Sequence, residues 1–204
     1  MTDIRYRPAR TIDARPMDRV RLAGQSGEHK VGEKAVRSDS ARLAELRSFI
    51  KLQEENRAFV LLAINPKKEI VGWALSLLII SSGKKDTDRS DDGWYLMGVM
   101  VHPKYRRQGI GEQLTRRRIK WLESRARKVR YFTQADNKVS RGLHDKFGFK
   151  ALRLVDSIAG LRFGENEKLV FELKLSKRKS TPPSNTATAT ASLRPKSKQH
   201  SSKP

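Results

Sequence analysis

The chain has 204 residues, 37% of them hydrophobic, with 44 lysines and arginines against 22 aspartates and glutamates and no cysteine. This length and apolar share suit one compact domain with an appendage, and the missing cysteines exclude disulfides, thiolate metal ligands and a cysteine acyl-enzyme. The formal net charge of +22 points to anionic ligands, although residues 176–204 hold seven of the bases and no acid, about a third of the excess.

In chain order, residues 1–21 are studded with charges and hold no apolar stretch of the kind a secretory signal needs, so a cytoplasmic protein is expected. Residues 4–9 read as a first strand. Residues 39–53 read as a helix, with Leu43, Leu46, Phe49 and Ile50 at helical spacing after a Ser/Asp cap, and the region between is helical or irregular. Residues 57–65 and 69–81 are β-rich and joined across Asn65-Pro66-Lys67-Lys68, so they form a hairpin. The longest apolar run, residues 71–80, is about half the ~20 residues needed to cross a bilayer and reads as a buried strand. Residues 82–92 are polar and predict an exposed loop bordering an acceptor site.

Residues 94–101 are apolar at nearly every position, as expected of a central strand covered on both faces. The helix that starts near Gln108 places Ile110, Leu114, Ile119, Leu122 and Ala126 on one side. Arg116, Lys120, Glu123 and Arg127 fall on the other, so its basic run reads as a solvated face. Residues 129–135 give another strand, Val139, Leu143 and Phe147 recur at i, i+4 and i+8 on a short helix, and residues 149–156 and 168–175 give two last strands. The sum is an α/β (α+β) domain over residues 1–175, a mixed, mostly antiparallel central sheet of six to seven strands flanked by about four helices. Residues 176–204, rich in Ser, Thr, Pro and Ala, cannot offset their ordering entropy and are expected as a disordered basic tail.

Residues 99–111 read Val-Met-Val-His-Pro-Lys-Tyr-Arg-Arg-Gln-Gly-Ile-Gly. Gly109 and Gly111 remove the Cβ atoms that would keep an anion off the main chain, and the first amides of the following helix have no intrahelical partner. Loop and helix start therefore predict a pyrophosphate site built from backbone. Some thirty residues on, Asn137 opens the short helix that ends at Gly148-Phe149. The pattern Arg106-x-x-Gly109-x-Gly111, followed by this second block, resembles the acetyl-CoA motif and the next segment of the GNAT acetyltransferase superfamily, over about residues 57 to 175 and more loosely toward the N-terminus.

The resemblance implies an acetyl-CoA-dependent N-acetyltransferase in which the acceptor's own amine attacks the thioester. Such an enzyme orients the thioester, polarises its carbonyl and moves protons, with no side-chain nucleophile. It implies that the amides of Arg107, Gln108, Gly109, Ile110 and Gly111 hold the pyrophosphate, with Lys104, Arg106 or Arg107 pairing its charge or that of the 3′-phosphate. It also implies that Val99, Met100 and Val101 pair by backbone with the pantetheine arm. Asn137 is expected at that arm, as the helix N-cap, or as both.

His144 stands where the family commonly has a tyrosine acting as acid toward the CoA sulfur. An imidazole with an ordinary pKa near 6.5 can relay protons there, and packing without catalysis is the alternative. The family's carboxylate on the strand equivalent to residues 94–101 is missing. Tyr95 is the phenol that strand offers, with core packing as the alternative, and Asp91, Asp92 and Trp94 are placed at the acceptor. His102 belongs to the turn, and Gly142 inside a helix predicts close approach of the cofactor or a neighbouring backbone. No His/Asp/Glu cluster has metal-ligand spacing, so no metal is expected.

The expected acceptor is a small cationic amine, an aminoglycoside-type antibiotic or a polyamine, drawn by Asp86, Asp88, Asp91 and Asp92. A protein lysine or N-terminus is the enzyme alternative, and a nucleic-acid-binding protein or an acetyl-CoA sensor the non-enzyme ones. No membrane partner is expected, nucleic acid only weakly through the tail, and a homodimer is left open.

Overall fold

The hairpin across residues 65–68 begins the sheet in the computed structural model, which describes residues 3–25, 38–80, 92–158, 161–162 and 167–176. Its strands are β2 (Ala58–Ile64) and β3 (Ile70–Ile79), antiparallel in register from Ala58↔Leu77 to Ile64↔Ile70. Asn65 shapes the turn by accepting the Glu69 amide on Oδ1, and Lys68 takes φ 64°. The segment of residues 58–63 shows no alternation because both of its faces are buried.

Before the hairpin come β1 (Arg5–Pro8), a 3-10 turn at Thr11–Asp13, α1 (Ala14–Gln25) and α2 (Asp39–Glu54). After it come β4 (Gly93–Val101), a 3-10 turn at Pro103–Tyr105, α3 (Ile110–Leu122), β5 (Lys128–Thr133), α4 (Lys138–Asp145) and β6 (Lys150–Val155). A two-residue hairpin, β7 (Ser157–Ile158) and β8 (Leu161–Arg162), and β9 (Lys168–Lys174) complete the order. Seven strands join as β1-β2-β3-β4-β5-β9-β6, antiparallel throughout except for β4 beside β5. This is the mixed sheet with four helices that the apolar patterns predict. The small β7–β8 hairpin carries no such pattern.

Helices α1 and α2 cover one face, where Met17, Val20, Leu43, Leu46 and Ile50 pack on Trp73 and Leu75. Trp73 donates its indole N–H to the Met17 carbonyl at 3.0 Å, and Asp18 accepts from Arg21 and Arg42, which locks α1 to α2. Helix α3 covers the other face, with Ile110 and Leu114 on Ala74, Val99 and Val101, and with Ile119 and Leu122 on Trp94, Leu96 and Tyr131.

Short helix α4 differs from its expected stripe: Val139 is 80% exposed, and its buried residue is His144. The loop at residues 82–92 lies outside the described residues apart from Asp92, and so do residues 177–204 of the expected tail.

Strand β4 departs from a regular ladder on both sides. It pairs with β5 only at Trp94↔Val129 and Tyr95↔Arg130, after which β5 continues on β9 alone. Its pairing with β3 jumps from Ser76↔Leu96 to Ala74↔Val99, so Met97 and Gly98 together oppose Leu75, a β-bulge.

Candidate active site

Where β5 leaves it, β4 opens to solvent. Residues 94–96 are buried, Met97 is half-buried, Gly98 is exposed, and residues 99–101 are half-buried although they lie in the middle of a seven-stranded sheet. A strand edge without a partner presents main-chain donors and acceptors to an extended ligand.

At the end of this edge the chain turns. His102 donates its amide to the Val71 carbonyl and accepts the Lys104 amide on Nδ1, so it is the cap of the 3-10 turn that the sequence assigns it. Tyr105 hydroxyl accepts from Asn65 Nδ2 at 2.9 Å, pinning the turn to the β2–β3 hairpin. Arg107 and Gly109 then take φ 62° and 77°, in the left-handed region. Gly109 reaches it freely, and Arg107 at some cost. The first bond of α3 runs from the Gln113 amide to the Gly109 carbonyl at 3.0 Å. The amides of residues 107–112 thus donate to no protein group among the described residues. Six successive donors without an acceptor among the described residues, leading into the positive end of a helix dipole, have the arrangement an anion site needs.

Near the β4–β5 divergence the interior holds polar atoms without partners. Ser76 Oγ, Arg118 Nε, Tyr131 Oη and His144 Nε2 are buried without a hydrogen-bond partner among the described residues. Ser76 flanks the bulge, Tyr131 is the first β5 residue past the β4 pairs, and His144 stacks on Tyr131 at 3.8 Å. Glu112 accepts from Lys146 at 2.8 Å and from Arg116 at 2.9 Å, which ties α3 to α4 and holds the Glu112 carboxyl below its ordinary pKa.

The model of the acetyltransferase (GNAT) family matches residues 29–149, more than half of the chain. The chain belongs to that family. It is an N-acetyltransferase of the GNAT fold.

Solved structures agree on the fold. An N-acetyltransferase from Staphylococcus aureus Mu50 matches with TM-score 0.64 and 17% identity over 86% of this chain and 100% of its own. RimL, a ribosomal L7/L12 alpha-N-protein acetyltransferase solved with coenzyme A, gives 0.65 and 14% over 87% and 97%. The protein yncA of Salmonella typhimurium, solved with its cofactor acetyl-CoA, gives 0.62 and 18% over 88% and 98%. Comparison with curated proteins gives no match. Among the described residues no helix is long and apolar enough to cross a membrane.

Within this GNAT domain the expected cofactor residues fall together. Val99, Met100 and Val101 form the free edge, Arg107, Gln108, Gly109, Ile110 and Gly111 the run of amides, and Asn137 caps α4 by accepting the Ser140 amide at 3.0 Å. A Cβ on Gly111 would meet Val99, Val101 and Leu143 at ordinary contact distances, so that glycine borders the slot between β4, α3 and α4. Arg106 is partly a correction: although exposed, its guanidinium donates to the Val101 and Gly24 carbonyls and so braces the turn. A Cβ on Gly142 would meet nothing within 4 Å, so no neighbouring backbone explains it.

The expected catalytic and acceptor residues fare differently. Tyr95 is 0% exposed, lies on the sheet face away from α3 among Val155, Ile158 and Val170, and shares a 3.5 Å hydrogen bond with Arg130. It is a core residue. Trp94 is buried edge-on against Trp121 at 5.2 Å, on α3's side, which removes it from acceptor contact. Asp92 is half-buried just before β4, and Asp91 lies outside the described residues.

His144 is 4% exposed, and its Nδ1 bonds the Ser140 carbonyl at 2.8 Å. Burial pushes its pKa down to about 4; the Ser140 bond opposes this, and the Arg118 charge reinforces it. The expected acid near neutral pH is thus corrected, because the ring is neutral there, with its proton on Nδ1 and a lone pair on Nε2.

The residue missed from sequence is Arg118. The basic run of α3 has three destinations. Arg116 pairs with Glu112, Arg117 lies 4.4 Å over the Tyr6 ring, and Arg118 is 0% exposed beneath the sheet. Its position four residues after Leu114 and four before Leu122 puts it in the apolar stripe, a signal that its charge masks.

Proposed function

We propose that this chain carries an acetyl group from acetyl-CoA to a primary amine, with residues 107–112 holding the pyrophosphate and the free edge of β4 the pantetheine arm. The observation that carries the reading is six amides without a protein acceptor among the described residues, placed at the end of a strand whose neighbour has diverged. Acetyl-CoA, when bound, supplies the activated acetyl thioester that an amine attacks.

The chain's own part is binding and polarisation. The amides of Arg107, Gln108, Gly109, Ile110 and Gly111 receive paired phosphates, with Lys104 and Arg107 adding positive charge on the same loop. Val99, Met100 and Val101 align the arm, and the Gly98 N–H at the bulge polarises the thioester carbonyl. Asn137 fixes α4 against the slot. His144 keeps its proton on Nδ1 and offers Nε2 only as a hydrogen-bond acceptor, so proton exchange passes to water.

For the acceptor, the acidic run Asp86, Asp88, Asp91 and Asp92 just before β4 favours a small cationic amine of the aminoglycoside or polyamine kind. A second reading, an amine on a protein N-terminus, is favoured by the fold similarity to RimL, an alpha-N-protein acetyltransferase. Residues 176–204 are read as a basic appendage to a catalytic domain of residues 1–175, dispensable for turnover.

Calorimetry with CoA tests the donor side: saturable binding is expected, and no heat at millimolar ligand overturns the reading. Acetyl-CoA-dependent thiol release with aminoglycosides, polyamines and N-terminal peptides then separates the two acceptors.

A further inference from the structure

Arg118 Nη1 donates to the Leu75 carbonyl at 2.7 Å and to the Met97 carbonyl at 3.0 Å, and Nη2 donates to Thr115 Oγ1 at 3.2 Å. Leu75 is the β3 residue that faces the bulge and Met97 is the first residue of the bulge itself. One side chain therefore stitches both strands at the place where their ladder is interrupted.

No carboxylate pairs with Arg118 among the described residues, and its Nε has no partner there. A buried cation without a counter-ion is costly, and an apolar residue, as at Leu114 and Leu122 on the same stripe, would fill the site more cheaply. Burial alone brings the guanidinium down to about 9, so it remains charged at neutral pH.

Peptide geometry gives this charge a direction. One nitrogen reaches both oxygens, so the Leu75 and Met97 carbonyls converge across the β3–β4 seam. In a trans peptide the C=O and the following N–H point in opposite directions. With its Met97 carbonyl held on the β3 side, the peptide aims the Gly98 N–H away from β3, toward the side that β5 has vacated. A cation on the carbonyl also strengthens the N–H of the same peptide as a donor.

We infer that Arg118 is a positioning residue for acetyl transfer: it fixes the Met97–Gly98 peptide so that the Gly98 N–H meets the thioester oxygen, and its buried charge offsets the negative charge gathering there. This inference rests on the proposed function. Its substrate class is the acyl thioester of that reading, and Arg118 acts on it only through the bulge.

The test is a pair of variants in the full chain, Arg118→Met and Arg118→Lys. For Arg118→Met the CoA dissociation constant and the acceptor KM are expected to stay within about twofold of wild type while kcat falls by roughly 100-fold, the scale of losing one oxyanion donor. Arg118→Lys keeps the charge but loses the fork, and recovers part of that loss. A folded Arg118→Met with unchanged kcat overturns the inference, and so does a parallel fall in CoA affinity and kcat, which marks a packing role.

If Arg118→Met does not fold, NMR on wild type decides. The Arg118 side-chain N–H signals and the Gly98 amide should shift together when acetyl-CoA replaces CoA, and a still Arg118 overturns the inference. Wild type that takes up no CoA removes the underlying reading instead, a result distinct from either variant's.

Discussion

At one end of the β4–β5 seam, Trp94 and Tyr95 pair with Val129 and Arg130, and Trp94 packs edge-on against Trp121. Three residues further along the same strand, Gly98 is exposed and the backbone has no β5 partner. Between these ends stands an aromatic wedge, Tyr131 stacked between His144 and Phe171 with Phe149 against its edge. The closed end holds two sub-sheets together, and the open end offers main chain to a ligand. Stability and binding are therefore assigned to different residues of one seam and can be perturbed separately.

The largest effect should come from the wedge. Tyr131→Ala removes a fully buried ring from between two others and is expected to lower unfolding stability by about 3–5 kcal/mol. Urea unfolding followed by near-UV circular dichroism measures it, and a loss under about 1 kcal/mol would show that the wedge does not help hold the sub-sheets together.

Gly109→Val acts on the open end alone. A Cβ there meets nothing within 4 Å, so the cost lies in forcing a β-branched residue to φ 77°. The melting temperature should fall by only a few degrees, the scale of about 1–2 kcal/mol of left-handed strain, and CoA affinity should fall by at least about tenfold as the amides turn away. An unchanged affinity by calorimetry separates the loop from the ligand.

His144→Phe tests the wedge through pH. The folded pKa is about 4, below the ordinary 6.5, so the unfolded chain binds the proton first and wild-type stability drains away as pH falls from about 6.5 toward 4. The loss due to this residue is about 2 kcal/mol by pH 5, at 1.36 kcal/mol per unit. The variant should lack that slope, keep the pH profile of acetyl transfer, and so melt later than wild type at pH 5. Parallel stability curves for the two proteins would refute the buried neutral ring.

The smallest effect is expected at the clasp. Glu112→Gln weakens the bonds from Lys146 and Arg116, letting α4 drift from α3, and should raise the KM for acetyl-CoA about twofold at low salt, less at high salt.

Much of this division was legible in the sequence. The strand of residues 94–101, the glycines of the loop and the Asn137 cap are local signals, read from residue spacing and from backbone preference. The bulge was not legible, because it is a mismatch of register between two strands and no residue on either one announces it. Arg118 was missed for a related reason: a guanidinium on a helix is usually solvated, and its burial depends on carbonyls brought from β3 and β4. His144 was placed correctly on its helix, but its environment comes from Tyr131 and Phe149 on other elements, and that environment removes the expected acid. The stripe of α4 departs at Val139 alone, because the short helix turns His144 toward the sheet while Leu143 and Phe147 stay half-buried.

The doubled position at Met97 and Gly98 has one more consequence. Before it, even-numbered residues of β4, Trp94 and Leu96, face α3; after it, the odd-numbered Val99 and Val101 do, while Met100 faces the opposite helices. The strand is thus written in two reading frames of inside and outside, spliced at a glycine. Deleting Gly98 would leave Met97 alone opposite Leu75 and merge the two frames into one unbroken alternation, with Val99 and Val101 still on the long helix and the outward-turned peptide gone. A length change of one residue here would erase the bulge while both halves of the strand kept the faces they now show.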